Sequence, residues 1–240
     1  MATCFISDLH LDRERPDIAE QFVVFLAGEA RNADALYILG DLFEAWIGDD
    51  DDDPYTLQVQ QTLCELTQSG VPGYFMHGNR DFMIGDDFAR NTGFELLPDP
   101  TIIELYGHSL LLSHGDKYCT DDTDYQTFRR QSRDPVWQQK MLALPLSERR
   151  RIAAQLRTES LSSTAGKPME IMDVNRDAIG AALREAGVTR ILHGHTHRPA
   201  VHRFSIDGTQ ALRIVLGDWY EQASILRWDQ TGFFLDVAKR

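Results

Sequence analysis

Cysteine is scarce in this chain of 240 residues: Cys4, Cys64 and Cys119 are an odd number and widely spaced. That spacing argues against a disulfide scaffold and for a reducing compartment. No apolar run approaches the roughly 18 residues that a membrane-crossing helix needs, so the chain is not expected to be embedded in a bilayer. No basic region, apolar segment and cleavage site open it, and no secretory signal is expected. Positive charge is in deficit, with 24 Lys plus Arg against 37 Asp plus Glu and a formal net charge of -13. Such a surface repels nucleic-acid phosphates, and no nucleic-acid partner is expected. Internal repeats and low-complexity tails are missing too. What remains, at 42% hydrophobic residues, is enough for one sizeable core, read as one domain over 1–240 with a helical insertion at about 121–186.

What is present is a repeated pattern: a short hydrophobic run that stops at a glycine or at an acidic or imidazole side chain. It occurs at Cys4–His10, Tyr37–Asp41, Tyr74–Asp81, Leu110–Asp116 and Ile191–His197. The runs read as strands, and their carboxyl ends deliver oxygen and nitrogen donors to one crevice. In the last stretch His195 and His197 stand two apart, so extended backbone would aim both imidazoles to one side. The same spacing separates Asp8 from His10.

Between these runs, helices are expected from Pro16 to about Arg31, from Pro54 to Gly70, and over Phe82, Phe88 and Ala89 as far as Gly93. Strands that alternate with helices carry the α/β signature. Phe43 and Trp46 read as core, and the acidic run Asp49–Asp53 as a solvated loop or the approach to a helix. Thr101–Leu105 and Ser109–Ser113 form a hairpin. The segment from Asp121 to Ala186 is helical in pattern apart from a loop at Ser160–Pro168, and is placed either to cover the crevice or to serve as outer-layer helices. After Ala200 the pattern alternates as in antiparallel sheet. A two-sheet sandwich follows, one sheet leaning parallel and one antiparallel, with helices outside.

Asp8, His10, Asp41, Asn79, His114, His195 and His197 offer too many donors for one tetrahedral zinc and suit two ions that share a bridging carboxylate. Imidazole, carboxylate and amide without thiolate favour Mn²⁺, Fe²⁺ or Zn²⁺ over an all-oxygen cage. Asp41 is the expected bridge, because its strand lies between those carrying the first and third sets of donors. Two ions in that arrangement lower the pKa of a water and clamp phosphoryl oxygens, which points to hydrolytic phosphoryl transfer.

Asp8-Leu-His10, Gly40-Asp41, Gly78-Asn79, His114-Gly115 and Gly194-His195-Thr-His197 together resemble the calcineurin-like metallophosphoesterase pattern in its full order. That resemblance implies a four-layer αββα sandwich with two metals, the first held by Asp8, His10, Asp41 and His197 and the second by Asp41, Asn79, His114 and His195. Where many members carry a histidine that serves a leaving alkoxide, this chain has Arg80. An arginine keeps its proton at neutral pH but can clamp phosphate bidentately, which suits a pyrophosphate, whose leaving group needs charge neutralised more than a proton.

The stretches Gly40–Asp50, Gly78–Asp81 and His114–Asp122 are more specifically similar to the branch of that superfamily that cleaves UDP-2,3-diacylglucosamine in lipid A synthesis. This implies hydrolysis to UMP and 2,3-diacylglucosamine 1-phosphate with two Mn²⁺ per chain. It implies catalytic roles for Asp41, Asn79, Arg80, His114 and His195, and substrate contacts at Asn79, Arg80, His114, Asp122, Ser160, Thr164, Lys167 and His195. By themselves Asp122, Ser160 and Thr164 can equally be helix caps, and Lys167 a solvated cation. A related dimetal phosphodiesterase or nucleotide pyrophosphatase is the alternative. A metal-bearing interaction module without turnover would be marked by a missing ligand, and none is missing.

The insertion carries Trp137, Met141, Leu142, Ile152 and Leu156, an apolar set suited to the acyl chains of such a substrate. Arg149, Arg150, Arg151 and Arg157 are placed to meet anionic headgroups, so the expected location is cytoplasmic, peripheral on the cytosolic face of the inner membrane. No obligate protein partner is evident.

Overall fold

The computed structural model describes residues 1–164, 171–220 and 222–239. Near the amino terminus, β1 (Thr3–Ile6), β2 (Ala35–Ile38), β3 (Gly73–Met76) and β4 (Phe94–Leu97) lie side by side in parallel. The hairpin of β10 (Gln222–Asp229) and β11 (Gly232–Lys239) joins them antiparallel to β1, giving a six-stranded sheet in the order β11-β10-β1-β2-β3-β4. A second, five-stranded sheet is built from β5 (Thr101–Leu105), β6 (His108–Ser113), β7 (Arg190–His193), β8 (Ala200–Ile206) and β9 (Thr209–Val215), ordered β5-β6-β7-β9-β8. This sheet is mixed rather than antiparallel, because β6, β7 and β9 run parallel to one another. The strand β4 was not expected from the sequence; its four residues present only one buried side chain, Phe94.

Each central strand is apolar on both faces, as a strand covered on both sides must be. In β1, Cys4 and Ile6 face the helices α1 (Pro16–Ala27), α2 (Pro54–Gln68) and α3 (Asp86–Thr92), while Phe5 faces the second sheet. Phe5, Tyr37 and Tyr74 are direct cross-strand neighbours, and their rings stack at 4.8 and 4.5 Å between centroids. Opposite them Leu110, Leu112, Leu192 and Ile214 complete the core between the sheets. Burying one such ring contributes roughly 1.5–3 kcal/mol. On the far side, Ile179 and Leu183 of α7 (Arg176–Ala186) pack on Leu111 and Ile191. The layers are therefore helix, sheet, sheet, helix, the expected αββα sandwich. The helix α7 belongs to an outer layer and not to a cover over the crevice.

The first of the expected helices ends early, at Ala27, followed by a short 3-10 turn at Ala30–Asn32. The insertion proper consists of α4 (Thr123–Ser132), α5 (Pro135–Leu142) and α6 (Leu146–Thr164). Asp134 caps α5 through the amides of Val136 and Trp137. The helix α6 continues through Ser160 to Thr164, where a loop was expected. Among the described residues, none of the apolar side chains of these three helices joins the buried cores. The acidic run below them is the approach to a helix, the second of the two expectations, and several of its carboxylates serve as anchors. Asp53 caps α2, Asp49 accepts from the amides of Gly85, Asp87 and Phe88 at the start of α3, and Asp50 pairs with Arg149.

Candidate metal centre

The strands β1, β2, β3, β6 and β7 all end at the same edge of the sandwich, where two sheets' carboxyl ends converge. The donors follow in the loops: Asp8 and His10 after β1, Asp41 after β2, Asn79 after β3, His114 after β6, His195 and His197 after β7. The backbone there is not extended. Asp8, His10, Asp41, His195 and His197 all have positive φ, between 51° and 67°. Because of these left-handed turns, His195 and His197 do not share a partner: the donors gather as Asp8, His10 and His197 on one side and Asp41, His114 and His195 on the other, with atoms of each group within 4.8 Å.

Asp41 joins the two groups. Its Oδ2 is 3.8 Å from His10 Nε2 and its Oδ1 is 3.8 Å from His114 Nε2, the placement required of a bridging carboxylate. Asn79 Oδ1 lies 3.0 Å from His114 Nε2, beside the second group. Such close approach demands glycine nearby: a Cβ on Gly78 would collide with the Asp41 carboxylate, and one on Gly194 with Asp8.

Electrostatics favour cations here. His10 Nε2 and His197 Nε2 are 3.2 Å apart, a distance that needs a proton or a cation between two ring nitrogens. Burial opposes the charge on His197, but Asp218 and Asp8 raise its pKa to about 10. Burial likewise opposes His114, which Asp41, Asp8 and Asp116 hold up at about 9. His195 moves the other way, to about 4, through burial and the neighbouring His114. Burial works against the Asp8 charge as well, yet His197, His114 and His10 keep its carboxyl far below the ordinary range. Protons thus gather where carboxylates are in excess, and the mixed nitrogen and oxygen donors fit two divalent ions that would replace them.

A family model described as calcineurin-like phosphoesterase matches residues 1–199. The chain belongs to the calcineurin-like phosphoesterase family. Over 247 aligned residues, covering all of both chains, it is 50% identical to the UDP-2,3-diacylglucosamine hydrolase of Stenotrophomonas maltophilia (strain R551-3). It is 52% identical to the enzyme of the same description from Escherichia coli O81 (strain ED1a), over 95% of each chain. The solved structure of an archaeal phosphodiesterase aligns over 99% of each chain with a TM-score of 0.51 at 12% identity, a likeness of fold alone. In this calcineurin-like phosphoesterase the two donor groups form a dimetal hydrolytic site.

The remaining expected residues are divided. Arg80 stands at the rim: its amide donates to Asp41 Oδ1 at 2.8 Å, its Nη2 lies 3.4 Å from Ser160 Oγ, and its Nε is buried without a hydrogen-bond partner. Asp122 caps α4 by accepting from the Tyr125 amide. Lys167 lies outside the described residues, and so does the side chain of Thr164. The arginines expected to face headgroups are engaged with acids. Arg149 is buried against Asp50 and the Ile47 carbonyl, Arg150 pairs with Asp51 and Asp52, Arg151 with Glu148, and Arg157 with Glu44.

Sequence reasoning missed the layer behind the donors. Asp81 accepts from the amides of Gly78 and Leu42 at 2.8 and 2.7 Å and so ties the Asn79 loop to the Asp41 loop. Burial and the Asp41 charge push its carboxyl up to about 6. His114 Nδ1 donates to the Leu39 carbonyl at 2.8 Å, and His197 Nδ1 is 3.0 Å from Asp218 Oδ2. Asp218 had a signal, since Leu216-Gly217-Asp218 ends β9 as Leu39-Gly40-Asp41 ends β2. Asp116 accepts from Tyr125 Oη at 2.7 Å and Arg129 Nε at 2.8 Å, and the Tyr125 ring lies 5.6 Å from that of His195.

The raised histidines make metal uptake dependent on pH. Near pH 7 the chelated protein holds protons on His114 and His197, and ligation needs neutral imidazole, so about two protons should leave as the metal enters. Calorimetric titration with Mn²⁺ in buffers of different ionisation enthalpy measures that number, and affinity should climb as pH rises toward 9 to 10. The chelated protein has the opposite dependence. A pKa raised in the folded state stabilises fully below the unfolded value of about 6.5 and ceases to do so as pH passes the folded one. Its melting temperature should therefore fall between pH 6.5 and 10, and a flat profile together with no proton release would contradict the assignment.

Proposed function

We propose that the protein hydrolyses the pyrophosphate bond of UDP-2,3-diacylglucosamine with two Mn²⁺, giving UMP and 2,3-diacylglucosamine 1-phosphate. The observation that carries this reading is the juxtaposition at one rim: Arg80, with its Nε free, stands beside the Asp41-bridged donor groups and beneath an insertion whose apolar side chains the cores do not use. Near-complete coverage by relatives about half identical supports the substrate. When bound, the two ions supply an activated water and neutralise phosphoryl oxygens.

The chain's own residues do the rest. Asp8, His10, Asp41 and His197 would hold one ion, and Asp41, Asn79, His114 and His195 the other. Arg80 faces the phosphates and offers its guanidinium to charge that develops on the leaving one. It donates no proton, which fits a phosphate leaving group better than an alkoxide. Asn79, Arg80, His114, His195, Asp122, Ser160, Thr164 and Lys167 are assigned to the substrate. Trp137, which lies 6.1 Å from Phe82 ring to ring, together with Met141, Ile152 and Leu156, lines the place for acyl chains. Val136 and Leu142 of α5 are exposed.

A peripheral position on the cytosolic face of the inner membrane is part of the same reading. No helix among the described residues is long and apolar enough to cross a membrane. With the arginines paired, contact with the bilayer would rest on the apolar rim and on the lipid substrate itself. The test compares kcat/KM on diacylated and deacylated UDP-glucosamine, before and after polar substitution at Trp137, Met141 and Ile152. Acylated substrate should be favoured strongly, and folded, metal-loaded variants should lose roughly tenfold of that preference per side chain removed, at about 25 cal/mol per Å² of lost apolar contact. Equal turnover of both substrates by the intact protein would favour a general dimetal phosphodiesterase or nucleotide pyrophosphatase.

A further inference from the structure

Of the histidines in the site, His10 is held in an unusual way. His114 is fixed through Nδ1 by a backbone carbonyl, Leu39, and His197 by Asp218 of the loop after β9. Neither partner touches the insertion in any contact described. His10 Nδ1 instead lies 3.2 Å from Glu44 Oε2, while the other carboxylate oxygen of Glu44 is in close ion-pair contact with Arg157 Nε on α6. Tyr220 adds a third element, with its hydroxyl 3.3 Å from Glu44 Oε2 and its ring stacked on the His10 imidazole at 5.4 Å and 16°. The Glu44 amide donates to the Leu11 carbonyl at 3.2 Å, which keeps the two loops in register.

We propose that Glu44 is a positioning residue that couples the insertion to the metal centre: α6 holds Glu44 through Arg157, and Glu44 sets the orientation and ring tautomer of His10. The direction of the ring supports this. His10 Nε2 faces Asp41 and His197, so Nδ1 is the nitrogen turned away from the donors, and the carboxylate in contact with it is that of Glu44, at 3.2 Å though not aligned as a hydrogen bond. A partner of that kind fixes tautomer and angle and strengthens the ligand, and its loss typically weakens metal binding 10–100-fold. Because Arg157 belongs to the helix that covers the crevice, a shift of α6 changes the charge felt by Glu44 and, through it, His10. Metal affinity at the position of Asp8, His10 and His197 and the placement of α6 are then linked, and by reciprocity metal should order α6 as much as α6 strengthens metal.

The inference rests on the dimetal reading, and the experiment separates the two. Mn²⁺ is titrated into the full-length, chelated protein and followed by electron paramagnetic resonance, for the wild type, Glu44→Gln, Arg157→Met, Arg157→Lys and the double variant Glu44→Gln/Arg157→Met. Hydrogen exchange of the α6 amides is measured with and without Mn²⁺. Glu44→Gln should weaken one of the two positions 10–100-fold and leave the other unchanged. Arg157→Met should weaken the same position several-fold, Arg157→Lys should recover most of that loss, and the double variant should bind as Glu44→Gln does, since both act along one path. In the wild type Mn²⁺ should slow α6 exchange, and in Glu44→Gln it should not. Wild type that saturates with one ion would sink the dimetal reading. Wild type with two ions but Glu44→Gln with unchanged constants, or additive losses in the double variant, would overturn the coupling alone. Should Glu44→Gln fail to fold, as its melting in chelator would reveal, the Arg157 pair still decides: equal binding by Arg157→Met and wild type rejects the proposal.

Discussion

Replacing Asp41 by asparagine should empty both metal positions and lower kcat/KM by about 10⁴-fold or more. Each ion supplies several kcal/mol of transition-state stabilisation, and about 1.4 kcal/mol is a factor of ten. Asp41 turns one oxygen toward each donor group, so its loss reaches both. Asparagine is the cleaner probe than alanine, because the residue sits at φ 52° and asparagine tolerates that region while it removes the charge. Asn79→Ala should instead reduce occupancy chiefly at the position of His114 and His195. Mn²⁺ stoichiometry by metal analysis and equilibrium dialysis, run beside turnover, distinguishes the pair. An Asp41→Asn protein that retains both ions at wild-type affinity would remove the bridge from the account.

Arg80→Ala should behave differently, with kcat lower by about 10²–10³-fold and metal content near that of the wild type. Its amide, which supports Asp41, survives the substitution, and a protonated guanidinium offers no lone pair to a metal. Lysine at this position restores a charge but not the planar fork, and should recover only part of the rate. Saturating substrate and Mn²⁺ are needed so that kcat, rather than binding, is read. Unchanged kcat in Arg80→Ala would leave the arginine as a rim residue, and parallel loss of metal would make it structural.

The donors were legible in the sequence for a physical reason. Strands buried on both faces are continuous apolar runs, and a polar side chain immediately after such a run lies at the edge of the sheet, where sites are built. Asp8, His114 and His195 follow that rule directly. Their supports do not, because an acidic residue becomes a support only through contacts set by the tertiary fold. Glu44 looks like any acidic loop residue until His10, Tyr220 and Arg157 converge on it from three other elements. The arginines of α6 were misread for the same reason: Arg149 meets Asp50, 99 positions earlier in the chain. The loop expected at Ser160–Pro168 was inferred from small polar residues, but Ser162 returns its hydroxyl to the Thr158 carbonyl at 2.7 Å and the helix carries on to Thr164, while 165–168 lie outside the described residues. The mixed character of the second sheet was hidden too, since α7 lies between β6 and β7 in sequence and a crossover leaves no periodic trace in either strand.

The left-handed backbone at the ligand loops has a thermodynamic consequence of its own. Asp8, His10, Asp41, His195 and His197 each occupy a conformation that costs a side-chain-bearing residue about 1–2 kcal/mol. Hydrogen bonds of the protein itself hold those turns: the Asp8 amide to Gly40, the His10 amide to Asp41, the Gly78 and Leu42 amides to the Asp81 carboxylate, and the His195 amide to Asp8. The site is therefore preorganised, and an arriving ion meets ligands whose ordering has already been achieved by folding. That separates this protein from small domains that fold only around their metal. Ions should enter and leave as from a rigid chelator, exchange should not require unfolding, and strong chelation should abolish turnover while the sandwich stays standing.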